Sequence, residues 1–246
     1  VKFLFYLTFI FFLLSCSSKT NNEVKLKKRV NIVFPEFLND NLDSIPTLST
    51  YFKIDSLFFN DSTRLSKRKQ IDLVDAELLF KIFENDELTS TNQYYFNDLV
   101  KIQKAKLKGT YEDFVKKLDI GMTLNAEAHY VGKILFPDSI ALVLWELTYS
   151  SYEACPFYFG SHVLASMVME GKVIETLQVA GHEVNADPPV DFESYYLCKF
   201  DRKGTIVRKN TFNVNEDEIS IEKGYKKEIF NVSKSGYKKF KAPLKK

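Results

Sequence analysis

The sequence predicts an α+β fold in which short helices in the N-terminal part precede one meandering antiparallel β-sheet, either a curved single sheet or a propeller-like one. Three observations carry that expectation. Apolar residues at spacings of three and four are confined to the region before residue 122. From His129 onward the chain breaks into strand-length apolar runs separated by turn residues. The turn glycines Gly171, Gly204 and Gly236 are spaced by 33 and 32 residues, as a repeated two-strand unit would be.

In the N-terminal part, Asn31-Ile32-Val33-Phe34-Pro35 reads as a short strand closed by its proline, and Tyr51 to Phe59 as another. Ile71, Val74, Leu78, Leu79, Ile82 and Phe83 fall on one face of a helix over 72–84, with Asp72 as its N-cap. The segment from Tyr94 to Leu107 is compatible with a helix but has no clean period. A short helix is expected after Thr110-Tyr111-Glu112-Asp113, a near capping box, with Phe114, Val115 and Leu118 as its apolar stripe and Gly121 as its end. A soft boundary near residue 122 then divides the helical part from the sheet.

Ile140 to Tyr149 is apolar at both parities, the pattern of a central strand covered on both faces. Val163–Met169 and Val173–Ala180 read as a hairpin about Glu170-Gly171-Lys172. Tyr195–Phe200 and Thr205–Val207 form a second about Asp201-Arg202-Lys203-Gly204, and Glu228–Val232 with Tyr237–Phe240 a third about Ser233-Lys234-Ser235-Gly236. Propeller blades take about 40–45 residues and come in fours or more, so a complete propeller does not fit.

The 246 residues carry 34 basic and 32 acidic side chains, a formal net charge of +2 that excludes a dedicated nucleic-acid binder. A chain that is 45% hydrophobic can bury a core, and with 9 Gly and 3 Cys it is neither collagen-like nor a disulfide scaffold. Lys2 precedes a run from Phe3 to Leu14 broken only by Thr8. Twelve residues are too few for a bilayer span of roughly 20 and suit a secretory core of about 7–15.

The run ends in Leu13-Leu14-Ser15-Cys16, which resembles the lipobox of bacterial lipoproteins. The resemblance covers the first sixteen residues alone. It implies that residues 1–15 are a signal peptide and that Cys16 becomes the acylated mature N-terminus. Residues 16–23 would then be the lipidated cysteine and a polar, flexible tether, with one α+β domain over 24–246. Without an aspartate or an acidic cluster after Cys16, the class implies an outer-membrane protein facing the periplasm, whose partner is the membrane itself through the lipid anchor.

Candidate chemistry is sparse. Cys155 and Cys198 are a possible disulfide in an oxidising compartment, closing a loop of 44 residues, or two buried thiols. His129, His162 and His182 are the whole histidine set; His162 and His182 can approach across a hairpin, but the sequence lacks a zinc motif. Ser161 beside His162 lacks the glycine frame of a nucleophile elbow. No cofactor, metal or catalytic residue is assigned. Asn185 to Glu193 reads as a proline-stiffened loop carrying Asp187, Asp191 and Glu193, lacking EF-hand spacing. Tyr149, Tyr152, Phe157, Tyr158 and Phe159 put five rings in eleven residues around Pro156, a candidate binding platform on a loop. The lysine-rich end, Tyr237 to Lys246, reads as a solvated terminus.

The sequence thus points to a membrane-anchored envelope lipoprotein acting as a non-catalytic binding or assembly module for a small ligand or another envelope protein. The alternative is a periplasmic hydrolase using carboxylates of the 182–193 segment, Glu183, Asp187, Asp191 and Glu193, which would have to converge in a cleft with shifted pKa values.

Overall fold

The computed structural model describes residues 32–108, 122–152, 157–187, 189–217 and 219–240. Its N-terminal part runs through α1 (Glu36–Asn39), β1 (Lys53–Ile54), α2 (Ser56–Asn60), β2 (Gln70–Ile71), α3 (Leu73–Leu79) and α4 (Glu87–Leu107). Eight long strands follow: β3 (Met122–Leu135), β4 (Ile140–Tyr152), β5 (Phe157–Met169), β6 (Lys172–Asp187), β7 (Val190–Phe200), β8 (Thr205–Glu216), β9 (Ile219–Ser233) and β10 (Gly236–Phe240). All lie in one antiparallel sheet in sequential order from β10 to β2, with β1 added beside β7. The architecture is the α+β meander, as a single sheet that does not close into a barrel; the strands do not form separate propeller blades.

The three glycine turns close hairpins where expected. Gly171, Gly204 and Gly236 have φ of 74°, 81° and 110°, a region costly for any residue with a Cβ. The joint between β6 and β7 differs from expectation. The predicted 185–193 loop is a hairpin whose pairing runs out to Asp187 and Val190, because Asn185–Phe192 and Ala186–Asp191 pair in register up to the connecting prolines.

β6 and β7 pair only through Gly181–Tyr196 to Asp187–Val190. Before Gly181, β6 stays with β5 while the end of β7 takes β1 through Ile54 and Cys198. The two halves of the sheet therefore diverge, and the space between them fills with Leu142, Leu144, Ala165, Met167 and Leu177 from one half against Phe200, Ile206, Phe230 and Tyr237 from the other. Tyr237 ties the halves together: its hydroxyl donates to the Ala165 carbonyl at 2.7 Å and its N–H to Glu175 at 2.8 Å.

The other face of β3–β5 is covered by helices. Leu38, Leu73, Ala76, Leu79, Phe80, Phe96 and Leu99 pack on Ala141, Val143, Trp145, Leu147 and Leu164. Even residues of β4 thus enter one core and odd residues the other, which is why this strand is apolar at both parities.

Four expectations for the N-terminal part change. Residues 32–35 are irregular, and Val33 contributes only one carbonyl, to the Gly171 N–H at 3.0 Å. The strand predicted over 51–59 shrinks to β1, after which α2 begins at Ser56. The helix predicted over 72–84 has its N-cap as foreseen, Asp72 accepting from the Val74 N–H at 2.8 Å, but stops at Leu79. The buried hydroxyls of Ser166 and Thr176 each donate to the Leu79 carbonyl at 2.6 Å, and Lys81 then bonds Thr176 in an extended bridge that carries Phe83 into the other core. The fourth is α4, the longest helix described, which turns the open 94–107 segment into a helix and starts it earlier, at Glu87. The helix predicted over 110–121 lies outside the described residues.

Candidate functional site

The polar face of α4 explains both its hidden period and the site. Asp86 caps the helix, accepting from the Thr89 N–H at 3.2 Å and the Thr89 hydroxyl at 2.5 Å. The same hydroxyl accepts from the Gln178 N–H at 2.9 Å, and Asn92 donates to the Gln178 side-chain oxygen. Thr89 and Asn92 are almost wholly buried, so the amino end of α4 docks on the sheet through hydrogen bonds where an ordinary helix would place Leu or Ile.

Beside this contact a cavity of about 420 Å³ opens between the amino end of α4 and strands β4–β10. Register brings its walls together. Tyr149, Gly160, Glu183 and Ser194 form one cross-strand row, and Tyr196, Asn210 and Lys226 another. A Cβ at Gly160 would stand 2.3 Å from both the His162 Nε2 and the Tyr158 hydroxyl, so glycine there makes room for that pair.

At one end of the cavity sits Arg208, buried with all its N–H groups engaged. Nη1 donates to Asp86 Oδ2 at 2.9 Å and to the Gln178 carbonyl at 2.6 Å, Nη2 to Asp86 Oδ1 at 2.6 Å and to Glu228, and Nε to Glu228 at 3.0 Å. Burial opposes the charge, and the hydrogen bonds and charges of Asp86 and Glu228 outweigh it, raising the Arg208 pKa. Burial would lift Glu228 as well, but Arg208 and Lys239 pull it down to about 2. Lys239 and Lys226 stand 2.8 and 3.2 Å from the Glu228 carboxylate.

The other end is organised around His162. Gln178 Nε2 donates to His162 Nδ1 at 3.1 Å, which leaves the Nε2 proton facing the Tyr158 hydroxyl at 2.9 Å. Tyr149 stacks on the same imidazole with centroids 5.4 Å apart, and its hydroxyl donates to Asn92 at 3.3 Å. Burial pushes His162 down to about 3, so the ring is neutral. Glu183 lies 3.5 Å from His162 Nδ1, and burial raises its carboxyl to about 7. The contact is therefore not an ion pair near neutrality. Asn185 Oδ1 is buried with no hydrogen-bond partner among the described residues.

Of the five aromatic residues nominated by sequence, Tyr149 and Tyr158 line the cavity. They stand on strands, not on a loop, because β4 continues to Tyr152 and β5 starts at Phe157. Phe159 falls on the opposite face of β5. Tyr152 and Phe157 pair across the strand ends, and their side chains lie outside the described part. Cys198 is a buried free thiol whose pKa burial pushes well up; Cys155, like Cys16, lies outside the described residues.

Of the carboxylates of 182–193, the described Glu183, Asp191 and Glu193 do not converge, and the side chain of Asp187 lies outside the described part. Glu183 enters the cavity, whereas Asp191 is exposed and Glu193 lies on the opposite face, 2.9 Å from His182, which stacks on Tyr195. His162 and His182 likewise face opposite sides of the sheet, as Ser161–His182 and His162–Gly181 pair in register. Among the described residues no three His, Cys, Asp or Glu are grouped to hold a metal ion. Ser161 also turns away from His162 and donates to the buried Glu146, which is clamped by Arg64 at 2.8 Å and Arg68 at 2.6 Å.

Sequence reasoning missed Asn92, Tyr196, Arg208, Asn210 and Glu228. One signal was present: Arg208 and Asn210 share the parity of the buried Ile206, and Glu228 that of Phe230, so charge stood on core-facing positions of two strands. No protein family, curated protein or solved structure matches this chain.

Proposed function

We propose that this chain is a membrane-anchored envelope protein, held by lipid on Cys16, that binds a small polar ligand in the cavity beneath α4 without transforming it. The observation that carries the binding role is the state of the cavity wall. The Arg208 cluster is held rigid by its own ion pairs, while the largely shielded Glu183 and the buried Asn185 oxygen have no cationic or hydrogen-bonding partner to match them among the described residues. A fixed, concave polar surface with unmatched groups suits recognition, since little ordering remains to be done on binding. The anchor rests on the Leu13-Leu14-Ser15-Cys16 pattern.

Hydrolysis draws support from Glu183, whose value near 7 suits acid–base work. Among the described side chains of 182–193 no second carboxylate joins Glu183, because Asp191 is exposed and Glu193 lies across the sheet.

The test uses full-length protein extracted gently from envelopes, unfolded to release bound small molecules for mass spectrometry. Thr91→Trp, an exposed helix position at the cavity mouth, is processed in parallel. A compound recovered with the wild type and lost with Thr91→Trp supports the reading; a compound retained by both places binding elsewhere. Cys16→Ser should move the protein out of the membrane fraction, and unchanged membrane association would refute the anchor.

A further inference from the structure

The charges around the cavity are unequally matched, and the mismatch points to a class of ligand. Arg208 has no donor to spare, and Lys226 and Lys239 both lie against Glu228. An anion entering here would have to break existing ion pairs. The amino end of α4 would favour an anion, but the Asp86 cap and Glu87 in the first turn already answer that dipole.

Glu183 has no comparable partner. The groups facing it across the cavity are the neutral His162 and Tyr158 on β5, Tyr149 on β4 and Tyr196 on β7. Beyond them stand the matched Asp86, Arg208 and Glu228 cluster with its lysines, and Glu87 at the mouth. With Glu183 ionised, the carboxylates of Asp86, Glu87, Glu183 and Glu228 outnumber Arg208, Lys226 and Lys239 by one. The Glu183 charge bears on both the Tyr158 and Tyr196 phenols, and Asn185 Oδ1 is a buried acceptor without a donor among the described residues.

A carboxylate, an orphan carbonyl oxygen and tyrosine rings together form the environment that favours an organic ammonium, through charge, hydrogen bonding and cation–π attraction. We infer that the cavity takes a small organic cation, its ammonium head lodged by Glu183 and Asn185 among Tyr158 and Tyr196. This rests on the reading of the cavity as a ligand site.

The experiment titrates the full-length protein with n-butylammonium, acetate and glucose, following backbone amide shifts by NMR. Butylammonium should shift amides of 183–185 and 196, and should bind about tenfold more weakly at pH 6 than at pH 8, because the ionised fraction of a carboxyl near 7 falls by that factor. His162 titrates near 3 and Glu228 near 2, so that pH window belongs to Glu183. Glu183→Gln should abolish the pH dependence with the amide spectrum otherwise retained, and Glu193→Gln, on the opposite face of the sheet, should keep it. If acetate or glucose shifts the cavity amides and butylammonium does not, the ligand class is wrong while the site stands. If none of the three shifts them, the inference fails, and the reading of the cavity as a site fails only if the mass-spectrometric comparison with Thr91→Trp is negative too.

Discussion

Replacing Glu183 by Gln keeps the shape of the side chain and removes its proton equilibrium. In the folded chain burial raises this carboxyl from 4.5 to about 7. Between those values the folded protein holds a proton that the unfolded chain releases. Its contribution to stability is fully present below 4.5 and is lost as pH rises through 7. The side chain is well shielded, so the loss is about 3 kcal/mol, the price of burying the charge. The Gln variant escapes that loss. Wild type and variant should have equal stability near pH 4.5, and by pH 8 the variant should be more stable by about 3 kcal/mol. Urea unfolding can be followed through Trp145, the one tryptophan, which is wholly buried and donates to Ser166 at 2.8 Å. Parallel stability profiles from pH 5 to 8, or a variant less stable at pH 8, would refute the argument that Glu183 is buried without a counter-charge.

Arg208→Leu leaves Asp86 and Glu228 buried without their cation and should lose about 3–5 kcal/mol in the same assay. Glu228, held near 2 in the folded chain against 4.5 unfolded, contributes stability above 4.5 that is lost as pH falls toward 2; Glu228→Gln should flatten the acid limb of the stability curve. Glu146→Gln weakens the clamp on Arg64 and Arg68, and limited trypsin digestion should then cut the 56–69 segment several-fold faster than in the wild type.

The strands were legible wherever side-chain alternation and turn chemistry agreed. Gly171, Gly204 and Gly236 each sit at positive φ in a hairpin turn, and β4 alternates between two apolar cores, so both signals were local. The amino end of α4 was not legible because Thr89 and Asn92 replace the apolar residues that mark a buried helical face. Ile82 and Phe83 imitated a continuing helix, while the hydroxyls of Ser166 and Thr176, some ninety residues away, ended it at Leu79. Glu183 was nominated among four carboxylates, but strand register alone decides that it faces Tyr196 and not Glu193. The cavity assembles from seven strands and one helix, so its residue set exists only after the sheet has its register.

The central claim is that the cavity beneath α4 is where this protein meets a ligand. The most direct measurement maps amide shifts on the protein while a library of small polar compounds is screened, with Thr91→Trp as the blocked form. The account predicts binders whose shifts gather around Asn92, Glu183, Asn185 and Tyr196 and vanish in Thr91→Trp. Binders that map to another face, or that bind the blocked form equally well, would contradict it.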